Sequence, residues 1–133
     1  MGLDKCVLTK KTLFLLAILF NCGLLIAQNN LIRKPAISPD ASKMAFSYHG
    51  DIWVYSFANN QSQRITVHQA YESNPVWNPK GDQLAFSSNR RVFTNIFSTG
   101  INGGVPKQLT YFPTTDTPSQ WNSNGDILFN SNI

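Results

Sequence analysis

The sequence predicts an all-β protein made of β-propeller blades, each a four-stranded antiparallel sheet. About two complete blades and part of a third follow a helical signal peptide. Three observations predict this. First, "PAISPDASKMAFS" from Pro35 returns as "PVWNPKGDQLAFS" from Pro75, a constant 40 residues later. Five of the thirteen positions are identical: Pro35/Pro75, Pro39/Pro79, Ala45/Ala85, Phe46/Phe86 and Ser47/Ser87. Second, a worn copy, "WNSNGDILFNS", begins at Trp121, 44 residues after Trp77. Third, the residues within each copy alternate with the period of a strand, between clusters of turn-forming residues. A β-sandwich also has regular turns, but it gives no reason for the same turn and the same Ala-Phe-Ser to return every four strands.

The chain opens with "MGLDKCVLTKKTLFLLAILFNCGLLIAQNN", in which Lys5, Lys10 and Lys11 precede an apolar run from Leu13 to Ala27. A charged region ahead of a run of this length has the pattern of a secretory signal. The run is shorter than the roughly 20 residues a membrane-spanning helix needs, and Asn21 interrupts it. Residues 1–27 are therefore read as a signal peptide with cleavage after Ala27 or Gln28, ahead of an uncleaved anchor or a buried helix. A lipid on Cys22 would want a small residue before it, where Asn21 stands. Removal of this segment takes away both cysteines, Cys6 and Cys22, and with them any disulfide or thiolate chemistry. It also removes three Lys and one Asp, so the net charge falls from +4 to +2. A basic nucleic-acid surface is not expected, and membrane contact is expected only through the signal before cleavage. The protein is expected to be exported, to the periplasm or beyond.

After a short lead-in at 28–34, the partial propeller is expected over 35–133, with blades at about 35–74 and 75–119 and an incomplete one at 120–133. Each blade begins with a short strand, Ala36–Ser38 or Val76–Asn78. A tight turn follows, "SPDA", "NPKG" or "NSNG". Pro39 and Pro79 pre-set φ at its second position, and Gly81 and Gly125 stand where φ is expected to be positive. Ala41 occupies that place in the first blade, at an expected cost of roughly 1–2 kcal/mol. The second strand, "KMAFSY" or "QLAFSS", sets Met44, Phe46 and Tyr48 on one face and Ala45 and Ser47 on the other. Large residues backed by small ones suit a sheet stacked between two others. The third strand, "DIWVYSF", alternates in the same way and is answered by "NIFSTGI". The offset there has grown to 44, and the four extra residues fall in "NRRVFT", at a hairpin tip. "SQRITV" and "PKQLTY" supply the fourth strand.

Residues that could carry chemistry are few. His49 and His68 have no second His at ligand spacing, so no metal site is expected. No Gly-x-Ser-x-Gly elbow occurs, and no catalytic or cofactor-binding residue is assigned. Asp40, Asp51, Asp82 and Asp126 recur at turns, where carboxylates accept backbone N–H groups. Trp53, Trp77, Trp121, Phe46, Phe86 and Phe129 recur at repeat positions, which marks them as packing between blades. Arg90 and Arg91 form the adjacent like-charged pair of the enlarged hairpin. They are the candidate contact to a peptide's acidic end or to another domain.

The stretches "LTYFPTTDTPSQWNSNGDILFNSN", "ITVHQAYESNPVWNPKGDQLAFSSN" and "GDIWVY" resemble the N-terminal propeller of tricorn-type serine proteases. The resemblance covers about Leu31 to Ile133, and its motifs are shared with TolB-type propellers. Departures are Ala41 for the turn glycine, Lys80 and Asn124 where Asp is usual, and "RRVF" in place of a glycine-rich loop. The resemblance implies the gating or docking segment of an exported peptidase, with catalytic Ser and His in later domains. Its partners would be peptide substrates and those downstream domains. A TolB-like scaffold that binds proteins is the alternative, and the propeller of a prolyl-oligopeptidase-like exopeptidase is a third. Two blades and part of a third would leave one apolar flank in water, so the chain is expected to be a piece of a larger ring.

Overall fold

The computed structural model describes residues 31–132. The expected signal peptide, its cleavage point at Ala27 or Gln28 and both cysteines lie outside the described residues. Ten strands follow in chain order: β1 (Arg33–Ile37), β2 (Lys43–Tyr48), β3 (Asp51–Ser56), β4 (Gln61–Arg64), β5 (Glu72–Trp77), β6 (Gln83–Ser88), β7 (Asn95–Gly100), β8 (Gly103–Gln108), β9 (Thr115–Trp121) and β10 (Ile127–Asn132). They form two four-stranded antiparallel meanders, β1-β2-β3-β4 and β5-β6-β7-β8, and the hairpin β9-β10. This is the blade pattern the repeat predicts. The first strand of each blade starts earlier than its alternation suggested, at Arg33 and Glu72. The fourth strands end earlier, at Arg64 and Gln108. Prolines hide the true start, because Pro35 and Pro75 sit inside strands whose register is broken around them.

The turn letters explain the hairpins. Ser38, Asn78 and Asn122 start equivalent turns, in which the N–H of Ala41, Gly81 or Gly125 donates to the carbonyl of that first residue. The side chain of the same residue then accepts from the far arm: Lys43 N to Ser38 Oγ, Gln83 N to Asn78 Oδ1, Asp126 N to Asn122 Oδ1. Gly81 and Gly125 have φ of 71° and 90°, and Ala41 is held at 56°. The expected strain at Ala41 is therefore present. His49 and Gly50, at φ 50° and 83°, join β2 to β3 as a two-residue turn with both central residues left-handed. That turn type matches the twist of paired strands. The same connection in the second blade, 89–94, is four residues longer, as the sequence offset requires.

Packing follows the alternation. Leu84, Phe86, Trp77 and Phe97 of the second blade meet Ala45, Ile52, Val54 and Ile65 of the first in one buried cluster. A large face thus lies on a neighbour's small face, and Ala45 is as fully enclosed as Leu84. Trp77 also donates through Nε1 to the Ala36 carbonyl, at 2.8 Å, tying β5 to β1. Each crossover is pinned by a main-chain bond: Glu72 N to Gly50 O at 2.8 Å, then Asp116 N to Thr94 O at 2.9 Å. Of the recurring aromatics, Phe46, Trp77 and Phe86 are buried. Trp53 and Trp121 are half-buried, and Phe129 is 40% exposed.

Candidate functional site

The first strands of successive blades, β1, β5 and β9, come side by side and line a groove of about 450 Å³. Each carries a proline, Pro35, Pro75 and Pro118, and each is part of an irregular pairing. Lys34 and Asn74, the residues before two of these prolines, have φ of 53° and 54°. A left-handed residue followed by a residue without an N–H cannot continue a ladder. Residues 34–35 and 74–75 therefore lie outside the paired register with β2 and β6, and they border the groove. Among the described residues Lys34 is the one charged side chain on its wall, alongside the exposed Ile37, Ser119 and Gln120 and the half-buried Trp121. Such a surface can hold an extended chain through unpaired backbone, a cation and apolar patches.

The residues singled out in the sequence fall elsewhere. Arg90 does not reach out from its hairpin. It turns back to ion-pair with Glu72, which is fully buried, and lies 4.8 Å from the centroid of the Phe97 ring. Ser88 Oγ also donates to Glu72 Oε1, at 3.3 Å, while Glu72 Oε2 has no partner. Arg91, next to it, is exposed. The reason is the longer loop: its slack lets Arg90 fold under, which the pair Arg-Arg alone could not reveal.

The recurring carboxylates divide in the same way. Asp40 caps its turn, accepting from Ser38 Oγ and from both N and Oγ of Ser42. The bond from Ser38, then those from Ser42, hold its carboxyl well below the usual range. Asp82 and Asp126 pair with the amides of Asn78 and Asn122 in equivalent turns. Asp51 instead opens β3, buried, where it binds Arg64 and accepts from His68 N. Its counterpart 44 residues on is Asn95, which accepts from Gln108, the counterpart of Arg64, and donates to the Phe112 carbonyl. An ion pair in one blade is thus an amide pair in the next. His49 and His68 both border a second cavity at one end of the first blade.

One buried carboxylate was not singled out in the sequence: Asp116. It is fully buried at the start of β9, where Glu72 stands at the start of β5. Thr114 and Ser131 donate to its Oδ1, each at 2.7 Å. Burial pushes its carboxyl up, but hydrogen bonds from Thr110, Ser131, Thr114 and Asn95 outweigh this and lower it. An offset of 44 links Glu72 to Asp116 and could have flagged the pair.

Comparison with known proteins agrees with this architecture. The uncharacterized peptidase YuxL of Bacillus subtilis is 26% identical over 108 residues, covering 73% of this chain and 16% of that protein. The Tol-Pal system protein TolB of Anaeromyxobacter dehalogenans is 30% identical over 105 residues, 76% of this chain and 24% of its own. The chain thus spans under a quarter of the length of these curated relatives. The crystal structure of the tricorn protease superposes with a TM-score of 0.66 at 17% identity, over 75% of this chain and 11% of that one. The profile of the tricorn protease N-terminal beta propeller domain matches residues 29–133, and the chain belongs to that family.

Proposed function

We infer that this propeller segment admits or orients peptide for hydrolysis by a catalytic domain of a longer protein. The groove along β1, β5 and β9 carries this reading, because it offers backbone outside the paired register, Lys34 and an apolar patch along the first strands of successive blades. An extended peptide needs those three things and little else. Membership of the tricorn propeller family and a relative named as a peptidase support it. Export to the periplasm or beyond is part of the same reading. It rests on the charge and apolar pattern of residues 1–27 and on the relationship to TolB.

In the full-length protein, Lys34→Glu is expected to lower kcat/KM for long peptides by about tenfold while leaving a small activated ester unaffected. Equal loss on both substrates, or on neither, overturns a role in admission. The TolB relationship favours a second reading, a scaffold for protein partners. A full-length protein that hydrolyses no peptide, yet retains a protein partner through this groove, would establish it instead.

A further inference from the structure

A cavity of about 470 Å³ lies at one end of the first blade. It is bordered by the start of β1, the His49–Gly50 turn and residues 68–71 of the crossover to the second blade. The repeat supplies an internal comparison. In the second blade the corresponding connection is the longer 89–94 loop, and it sends Arg90 inward to Glu72 and the Phe97 ring. Ser87 there donates to the Asp116 carbonyl at 2.9 Å. The first blade has neither feature. Its connection is only two residues long and carries no counterpart of Arg90. Its equivalent hydroxyl, Ser47 Oγ, is buried at the cavity wall without any hydrogen-bond partner. Native structures seldom keep a buried hydroxyl unpaired unless something else visits it.

The chemistry of the wall says what would visit. Arg33 brings a permanent positive charge and a planar fork that matches two oxygens of one group. His68 accepts from Ala70 N through Nδ1, at 2.9 Å, which makes Nε2 the ring's donor. No carboxylate borders the cavity among the described residues. Tyr71 adds aromatic surface. We propose that this cavity binds a small organic anion. Arg33, Ser47 and His68 hold its carboxylate or phosphate group, and its carbon part rests against Tyr71.

The test is calorimetric titration of the full-length protein with N-acetyl-tyrosine, its amide and phenyl phosphate. The acid or the phosphate is expected to bind at least tenfold more tightly than the amide, and the tighter of the two identifies the head group. Arg33→Gln is expected to weaken that binding at least tenfold. Ser47→Ala removes only one oxygen atom and should weaken it several-fold without altering the melting temperature. Absence of binding by both anions overturns the proposal, as does equal binding of acid and amide or full affinity in either variant. Neither substitution touches the groove along β1, β5 and β9, so failure here leaves the peptide role standing.

Discussion

Ala41 shows how a single residue carries a cost that the repeat exposes. Gly81 and Gly125 fill its place in the two equivalent turns, whereas Ala41 holds the same left-handed φ with a Cβ. Ala41→Gly is expected to stabilise the protein by about 1 kcal/mol, read as a shifted midpoint in urea with an unchanged slope. Asp116 sets a dependence on acid. Its folded value lies below the unfolded reference of 3.8, so the stability it contributes is complete above that pH. It is lost as pH falls through the lower folded value. Melting temperature should therefore fall as pH drops below about 4 in the native protein. Asp116→Asn should melt earlier at neutral pH and show a flatter acid limb. An unchanged acid limb would mean that other carboxylates control it.

At the scale of elements, the first and second blades solve one problem with different chemistry. The bond between the third and fourth strands is Asp51–Arg64 in one and Asn95–Gln108 in the other. Arg64→Gln alone strands a buried carboxylate, and should cost about 1–2 kcal/mol. The figure is modest because the guanidinium is 42% exposed. Adding Asp51→Asn rebuilds the amide pair of the second blade and should recover most of the loss. A double-mutant cycle in chemical denaturation reads the coupling directly. If the double variant is no better than the sum of the singles, the two pairs are not interchangeable.

For the whole molecule, stability lies between blades as much as within them. The buried cluster is shared by two sheets, and one indole–carbonyl bond, Trp77 to Ala36, joins their first strands. Trp121, the repeat counterpart of Trp77, donates instead to Gly125 of its own turn. Trp77→Phe loses the bond and part of the buried ring, and should cost about 1–3 kcal/mol. Hydrogen exchange in β1 should accelerate more than in β6 or β7, because the first blade loses its tether to the second. Uniform acceleration across both blades would show that they open as one unit.

Much of this was legible in the letters. Repetition at 40 and 44 residues determined the blade, because a four-stranded sheet that buries both faces against copies of itself must repeat its large and small positions. The turn residues determined the hairpins, since a left-handed φ and a side chain accepting from the far arm are local requirements. Tertiary structure alone decided where Arg90 goes, that Asp51 is buried while Asp40 is not, and that Ser47 faces a cavity while Ser87 finds a carbonyl. Those outcomes depend on which blade stands next to a residue and on how much slack its loop has. Neither is encoded within the few positions that make a strand or a turn.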